Sequence, residues 1–430
     1  MDKLFKAQNQ IHTLAYLITL SIYIRKNMKS QFPGYFKPTE KETTDLWENA
    51  LFVFDANILL NLYRYSDETR DDFFKILEKI KHRIWLPNQS ASEFFENRLS
   101  VIYQQEKSYE EAEKSLKTLE TEFKNSRQHP FITKKTLKKL SILSKEICEQ
   151  LNESKNSHNK RINEDDVLDR IEELFNSKVG NEYTKEQLEE IYQEGKVRFL
   201  DKIPPGYKDG DKKDDSSQNV RKYGDLVLWK QILDESKKLQ KGVILVTDDR
   251  KEDWWIRFNG KTLSPRPELK KEFQILTEQK FYMYQSDRFL EFATKHFNEE
   301  IHENALQEIR ELQRNDERKR YQNILNNQRY LKNQERLDSI FMQKSDLEKQ
   351  LKIIQHRKKL INDALMKQHD ILNSSDPRTF DDNELKSLAY DLHSMESKSE
   401  QLANKISSLN HQAHEERKSK NKIKHENGYY

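Results

Sequence analysis

Acidic residues lie beside short apolar segments at four separate places in this sequence. They are Asp55 in VFDANILLNLYRY, Glu93 in SASEFFENR, Asp225 in YGDLVLW and Asp249 in VILVTDDRKEDWW. Since each run predicts the end of a strand or a helix, we expect the four carboxylates to meet where parallel strands end. Carboxylate oxygens are the ligands that Mg²⁺ and Mn²⁺ prefer. One or two such ions held by four acids are suited to hydrolysis of a phosphodiester bond.

Each acid also has a simpler local explanation. Asp55 precedes a helical segment and would serve as its N-cap, and Asp225 stands before an apolar helix in the same way. Ser90 and Glu93 have the spacing of a capping box. Gathering four carboxylates without a cation, however, would cost on the order of several kcal/mol. That cost favours a metal site over four independent caps.

Neighbouring residues extend the predicted site. We expect Asp248 and Asp253 to act as outer metal ligands or to orient the site, and Asn57 to support it by hydrogen bonding. Candidate contacts to a substrate backbone are Arg98, Arg221, Lys222, Arg250 and Lys251. A solvated surface position is the simpler explanation for each of these basic residues. Trp254 and Trp255 would either stack on a base or belong to the core.

The composition limits the class of protein. Of 430 residues, 35% are charged and 34% hydrophobic, and the mean hydropathy is −1.03. Part of the chain is therefore expected to form long solvated helices. The formal net charge of +3 excludes a global positive field, so nucleic-acid binding would depend on local patches. The single Cys148 excludes an internal disulfide and fits the cytoplasm, and paired Cys or His residues at zinc spacing are absent.

Apolar runs alternate with helical patterns along residues 51–297. The runs at 51–54, 83–87, 243–247 and 281–284 predict strands, and helical patterns cover 67–80, 226–239 and the stretches that start at 90 and 286. This alternation predicts an α/β domain with a mainly parallel sheet. Residues 101–200 are charged and helical, with breaks at Pro130 and the polar run 152–163, and predict an insertion of helical hairpins. Residues 201–217, rich in Pro, Gly, Asp and Lys, predict a loop.

Residues 298–430 have a different pattern. Apolar residues recur at alternating steps of three and four in two runs, which are separated by the proline-containing segment 373–382. The first run is Leu337, Ile340, Leu347, Leu351, Ile354, Ile361 and Leu365, and the second is Leu385, Leu388, Leu392, Met395, Leu402, Ile406 and Leu409. The pattern predicts an antiparallel coiled-coil hairpin or a coiled-coil dimer, with self-association or partner binding through residues 330–410. The charged tail 415–425 is expected to fray.

The N-terminal residues 11–24 are mostly apolar but too few to cross a bilayer. We expect no membrane association. Residues 1–27 are interpreted either as an amphipathic docking helix or as an upstream extension before a start at Met28. The second interpretation agrees better with the resemblance that follows.

The motifs resemble those of the PIN-domain nucleases, specifically a bacterial PIN-like family first described as a domain of unknown function. The matching segments are FPGYF with PTE (32–40), FDANILLNLYRY, SEFFENR, PPGYKD (204–209), YGDLVLW, TDD-x-x-EDWW (247–255) and PRPEL (265–269). The resemblance implies a three-layer PIN-like domain over 28–297, with the insertion at 101–200 and a helical arm at 298–430. It also implies that Asp55, Glu93, Asp225 and Asp249 are catalytic, with Asp249 selected over Asp248 by its distance from the preceding threonine.

The function implied is that of an endonuclease that depends on Mg²⁺ or Mn²⁺, and the resemblance alone favours single-stranded RNA over DNA. A nuclease joined to a helical arm also suits a toxin or phage-defence effector. The alternative is a non-catalytic PIN-like scaffold whose coiled-coil arm mediates assembly. Charged substitutions at the seam residues Leu347, Leu351, Leu388 and Leu392 discriminate between the two, because they would abolish association and leave cleavage intact in a nuclease.

Overall fold

The computed structural model describes Met28, Phe32 and residues 34–125, 132–210, 222–373 and 382–426, with the backbone alone at 372 and 422–426. The possible extension 1–27, Pro130 and the substrate-binding candidate Arg221 lie outside the described residues. The chain divides into two compact units, Met1–Gln313 and Arg314–Tyr430. The boundary expected after residue 297 therefore falls inside the first unit.

The first unit is built on a parallel sheet. Its strands are β1 (Leu51–Phe54), β2 (Ile84–Trp85), β3 (Val243–Val246), β4 (Trp255–Phe258), β5 (Lys261–Pro265) and β6 (Phe281–Tyr284). Four of them form the sheet in the order β2-β1-β3-β6, and every neighbouring pair is parallel. The remaining two, β4 and β5, form an antiparallel hairpin. Because β2 and β3 lie on opposite sides of β1, the crevice between the ends of β1 and β3 is a topological switch point, where α/β folds bind ligands.

Helices cover both faces of the sheet. In chain order they are α1 (Glu40–Asn49), α2 (Ala56–Asn61), α3 (Asp67–Lys79), α4 (Asn88–Lys124), α5 (Lys134–Lys160), α6 (Asp166–Phe175), α7 (Lys185–Leu200), α8 (Gly224–Leu239), α9 (Pro267–Thr277), α10 (Ser286–Phe297) and the start of α11 (Ala305–Leu372). All four residues of β1 and of β3 are buried, as expected for strands covered on both faces.

Successive residues of each strand point to opposite faces, and this alternation separates two cores. Phe52, Phe54, Ile244 and Val246 join the first core, with residues of α1–α4, α6, α10 and the first turns of α11. The other face of the same strands, with residues of α7, α8 and α9, forms the second core. The arrangement of helices, sheet and helices confirms the predicted three-layer α/β fold.

Two details at the sheet edge differ from the prediction. β2 is only two residues long, and α4 begins at Asn88 with Pro87 at its N-cap. The capping box expected at Ser90 and Glu93 is therefore wrong, because both residues already lie inside the helix. Pro87 carries no backbone N–H and fixes its φ at −57°, which suits a helix start. Glu93 is thus available for contacts outside its own helix.

The predicted insertion contains two kinds of structure. α4 and α5 form an antiparallel hairpin, with Ser141 donating to Glu120 and Asn159 donating to Glu106. α5 continues through most of the polar run 152–163, so the break expected there begins only after Lys160. α6 and α7, by contrast, pack into the two cores and belong to the layers of the domain.

The second unit is a pair of long antiparallel helices, the rest of α11 and α12 (Asp382–Glu426). Asn333 donates to Ser419 over 3.1 Å, and Gln368 donates to Glu384 over 2.6 Å, so early residues of one helix meet late residues of the other. All apolar positions predicted for the seam are buried or half-buried. The tail expected to fray remains helical to Glu426. Among the described helices of both units, none is long and apolar enough to cross a membrane.

Candidate active site

The end of β1 places Asp55 at the switch point. Its backbone N–H donates to Val246 O, and its side chain Oδ2 accepts hydrogen bonds from Thr247 Oγ1 at 2.6 Å and Asn57 Nδ2 at 2.5 Å. Although Asp55 is the N-cap residue of α2, its side chain makes no cap hydrogen bond. The cap interpretation is therefore wrong, and the Asp55 carboxylate is held by residues of the neighbouring strand end. Asn57 makes the kind of hydrogen bond expected of it, and its supporting role in a catalytic site stays a prediction.

The end of β3 presents Asp249. Its backbone N–H donates to Thr247 Oγ1 at 3.0 Å, and its carbonyl oxygen accepts from Trp255 Nε1 at 2.6 Å. Thr247 thereby connects Asp55 with the turn that carries Asp249. Because β1 and β3 pair in register, with Phe54 opposite Val246, the two acids emerge from adjacent strands at one edge of the sheet.

Glu93 lies in the second turn of α4, and Asp225 lies in the first turn of α8. Glu93 Oε1 accepts from Gln89 Nε2 at 2.7 Å on α4, and the backbone of Gln89 donates to Gln231 on α8. A Cβ atom at Gly224 would lie 2.9 Å from Glu93 Oε1, so the carboxylate contacts the first residue of α8. Glycine at position 224 makes this close approach possible, and it sets Glu93 beside Asp225.

A loop that the sequence patterns singled out only as a motif supplies a further acid, Asp209. Asp209 is 8% exposed and ends the short 3₁₀ turn Tyr207–Asp209. Gly206 has φ of +91°, and a Cβ there would lie 3.2 Å from the Cβ of Asp225. Asp253 is fully buried, and its Oδ2 accepts from the backbone N–H groups of Gly206 and Lys208. Asp253 thus holds the loop instead of joining the cluster, and Asp209 joins the cluster instead.

Lys251 lies inside the acidic cluster. Its Nζ is 2.9 Å from Asp209 Oδ2, 3.1 Å from Asp225 Oδ2 and 2.9 Å from Asp249 Oδ2. Burial opposes the charge of this ammonium, but the three carboxylates outweigh burial and raise the pKa of Lys251. The structure therefore assigns Lys251 to the acids, whereas the sequence suggested a contact to the substrate backbone.

The electrostatics of the cluster reflect crowding of like charges. Burial, and then repulsion from Glu93, raise the pKa of Asp55 to about 7, with a smaller contribution from Asp249. Burial raises the pKa of Asp225 to about 8, although the Lys251 ammonium acts in the opposite direction. Such raised values are typical of carboxylates gathered for function. The four acids predicted from the sequence are thus brought together.

Asp248 is placed differently from its neighbour. Its carboxylate accepts from the backbone and hydroxyl of Ser286 at 3.0 and 2.7 Å, from Asn61 Nδ2 at 3.0 Å and from Gln313 Nε2 at 2.8 Å. These four donors bind β3 to α2, α10 and the start of α11. Both oxygens of Asp248 therefore tie these elements together, and its expected role as an outer metal ligand or an orienting residue stays a prediction.

Three of the basic candidates have structural partners. Arg98 pairs with Asp165, the N-cap of α6, and Arg250 donates to Gln313 Oε1 at 2.5 Å. Both lie in networks that hold helices together, so the structure does not support them as substrate contacts. Lys222 lies three residues before Asp225, the acid in the first turn of α8, and its Nζ is 5.7 Å from the ring of Tyr223. Trp254 and Trp255 are 2% and 4% exposed, so they belong to the core and are not placed to stack on a base.

The donor set suits a hard divalent cation, since it consists of carboxylate oxygens. A cation, the Lys251 ammonium, already lies among three of them. Within the described residues, no three Asp, Glu, His or Cys side chains converge as ligands of a single ion. The chemistry of the site thus fits a metal, and the position of Lys251 limits where an ion would bind.

Residues 51–269, just over half of the chain, match the model of a family described as PIN like domain. The chain belongs to this PIN-like family. The match covers three strands of the parallel sheet, β1, β2 and β3, and ends before β6. It includes Asp55, Glu93, Asp209, Asp225, Asp249 and Lys251. No curated protein and no solved structure matches the chain.

Membership of the PIN-like family identifies the general class of chemistry. PIN domains are typically metal-dependent nucleases that act on nucleic acids, and they generally use divalent metal ions. The chain therefore has a nuclease-type fold, as predicted from its motifs. Sequence patterns missed Asp209 as a site residue, although its loop stood out through the PPGYKD motif and the glycine that approaches Asp225.

Proposed function

We propose that this PIN-like protein is an endonuclease that depends on Mg²⁺ or Mn²⁺, cleaves single-stranded RNA and acts in the cytoplasm. One observation supports the proposal: at the switch point of the sheet, Asp55 and Asp249 leave two adjacent strands, and Glu93 and Asp225 lie near the starts of two helices that contact each other there. Concentrating this many carboxylates in one crevice costs free energy unless cations offset their charge, and the Lys251 ammonium supplies a single positive charge among them.

The residues of the site would have different roles in this reaction. A bound divalent ion would lower the pKa of a water molecule and offset the negative charge on the phosphate. Asp55, held by Thr247 and Asn57, and Glu93, held against Gly224, would bind the ion. Asp225 and Asp249 complete the donor set, and Lys251 restrains both. Lys222 is the candidate contact to the substrate backbone that remains among the described residues.

The test is cleavage of end-labelled single-stranded RNA and DNA of the same sequence with Mn²⁺, with Mg²⁺ or with EDTA. The wild type is compared with the double variant Asp55→Asn, Asp249→Asn and with Asp45→Asn, a matched change at an exposed aspartate that pairs with Lys280. We expect metal-dependent cutting of RNA by the wild type and by Asp45→Asn. The double variant should lose at least about a hundredfold in rate, because two ligands are neutralised.

Two results would contradict the proposal. Cleavage that persists in EDTA, or in the double variant, would separate the activity from the acidic cluster. Cleavage of DNA but not RNA would retain the nuclease and remove the RNA preference, which rests on the family resemblance alone.

A second candidate function is an assembly role for the helical arm. It is favoured by large apolar side chains that remain exposed on the described arm away from the seam, including Ile353, Leu360, Met366 and Tyr390. If this pair of helices associates with another chain, Ile353→Lys with Leu360→Lys should reduce the assembly mass in sedimentation. Under the nuclease proposal the same variant should still cleave a short RNA at the wild-type rate.

A toxin or phage-defence role extends the nuclease proposal to the cell. It predicts that induced expression of the wild type, with its cognate trigger, arrests growth and that Asp55→Asn does not. Growth without arrest in the presence of the trigger would reject this role and leave the nuclease chemistry untouched.

A further inference from the structure

The Lys251 ammonium has a saturated set of partners. An ammonium group has three N–H donors, and three different carboxylates lie within 3.1 Å of this one: Asp209, Asp225 and Asp249. A donor that is already used by a carboxylate is not open to a phosphate oxygen. Lys251 therefore belongs to the acidic cluster rather than to the surface that would bind a nucleic-acid backbone.

The side chain is also enclosed. The side chain of Lys251 is 14% exposed, and the side chains of Asp209, Asp225 and Asp249 are 11%, 21% and 15% exposed. Lysines that sample phosphate groups usually keep the ammonium in water. A buried ammonium with three acids around it resembles instead a bound cation, because burial strengthens the attraction that holds it.

The surrounding backbone builds this position. The N–H of Lys251 donates to Asp249 Oδ1 at 2.9 Å, which closes the turn after β3 around the carboxylate. Asp253 anchors the loop that carries Asp209 through two backbone hydrogen bonds. Three separate segments therefore converge on the ammonium, and their hydrogen bonds do not depend on a metal ion.

The other half of the cluster is different in kind. Asp55 accepts hydrogen bonds from a threonine hydroxyl and an asparagine amide, which are neutral groups. Its electrostatic interactions with Glu93 and Asp249 are repulsive. The cluster thus has one region compensated by a cation of the chain itself and another in which the charges of Asp55 and Glu93 oppose each other.

We propose that the Lys251 ammonium permanently occupies one cation position of the PIN-like site, so that the protein binds a single divalent ion, on the side of Asp55 and Glu93. This inference rests on the proposed nuclease function and adds the number of ions and their location. Lys251 is on this view a positioning residue, which holds Asp225 and Asp249 in place of a second metal.

The experiment is a calorimetric titration of the full chain with Mn²⁺ alone, combined with electron paramagnetic resonance of the bound ion. The variants are Lys251→Met, which keeps the length of the side chain and removes its charge, and Lys208→Met as a control. Lys208 lies on the same loop as Asp209 and pairs with Glu252 outside the cluster. We expect one Mn²⁺ per chain in the wild type and in Lys208→Met, and two in Lys251→Met, with the spectral broadening of a close ion pair.

The outcomes separate this inference from the function on which it rests. Two Mn²⁺ ions in the wild type, or a single ion in folded Lys251→Met, would overturn the role of Lys251 and leave the metal-dependent nuclease standing. No bound Mn²⁺ in the wild type would overturn both.

Thermal denaturation tests the inference even if Lys251→Met is less stable than the wild type. Without the ammonium, the carboxylates of Asp209, Asp225 and Asp249 repel one another. Lys251→Met should therefore have a lower melting temperature than the wild type in EDTA, and Mn²⁺ should abolish that difference. The inference would be contradicted if Lys251→Met had the melting temperature of the wild type in EDTA, or if Mn²⁺ failed to raise its melting temperature to that of the wild type.

Discussion

Replacing Gly224 by alanine should separate activity from stability in this protein. The new Cβ would lie 2.9 Å from Glu93 Oε1 and 3.2 Å from Gln89 Nε2, while its remaining surroundings are open. Both contacts are ends of flexible side chains, so they move and the fold does not. Gly224 is the first residue of α8, where alanine is a better helix former than glycine by up to about 1 kcal/mol.

The size of the effect follows from the distance. Ordinary contacts of a Cβ begin near 3.4 Å, so the Glu93 carboxylate must retreat by about 0.5 Å. A misplacement of about 1 Å can cost on the order of a hundredfold in rate, which makes a loss of roughly tenfold the expectation here. The melting temperature should stay the same or rise, because the helix gains and no buried atom is removed.

The assay is a single-turnover rate of RNA cleavage with Mn²⁺ in a double-mutant cycle with Glu93→Asp. Since both changes displace the same carboxylate, the combined loss should be smaller than the product of the single losses. An unchanged rate in Gly224→Ala, or losses that multiply, would refute the argument that Glu93 acts from its position against α8. A large drop in melting temperature would show that the helix start, rather than the carboxylate, had moved.

Three further predictions concern the corrected residues and the titration of the site. Asp248→Asn should lower the free energy of unfolding by about 2 kcal/mol in urea denaturation, because a buried charge with four donors is lost, and should leave the number of bound Mn²⁺ ions unchanged; a lost ion would make Asp248 a ligand after all. Arg98→Met should lower the free energy of unfolding by about 3 kcal/mol, because it leaves Asp165 buried without its cation. Filter binding should show an unaltered RNA affinity, and a tenfold weaker affinity would instead indicate that Arg98 contacts the substrate. In the folded protein the pKa of Asp55 is raised to about 7 and that of Asp225 to about 8, above the usual pKa of 3.8 that applies to the unfolded chain. The unfolded chain therefore releases these protons at lower pH than the folded protein does. In EDTA the melting temperature should then fall as the pH rises from about 4 to about 8. Stabilisation by Mn²⁺ should grow towards the upper end of that range, as the ligands lose their protons, and a melting temperature that rises throughout would contradict the raised pKa values.

Much of the fold was open to prediction because its signals are local. Fully apolar runs such as those of β1 and β3 are typical of strands buried on both faces, and each ends in an acid. Heptad spacing likewise predicted the half-buried seam of the arm. The capping box predicted at Ser90 is wrong because the spacing of Ser90 and Glu93 is only a local pattern. The helix already begins after Pro87, so both residues lie inside it.

The roles of adjacent residues required the tertiary structure. Asp248 and Asp249 are neighbours of the same type, yet one accepts four hydrogen bonds from α2, α10 and α11, and the other faces Lys251. No spacing rule separates them, because their partners are distant in the chain. The partners of Arg98 and Arg250 are likewise distant in the chain, since Arg98 pairs with Asp165 and Arg250 donates to Gln313.

The sequence by itself determined the four strands of the parallel sheet, where their acids lie and which family the motifs resemble, since these depend on hydrophobic pattern and short-range order; it did not predict the hairpin of β4 and β5. Only the tertiary structure decided that Asp209 joins the cluster, that Asp253 holds its loop and that Lys251 is the cation among the acids. The physical reason is that charge compensation depends on distances of about 3 Å between segments far apart in the chain, and these distances are set by packing of the two cores around the sheet.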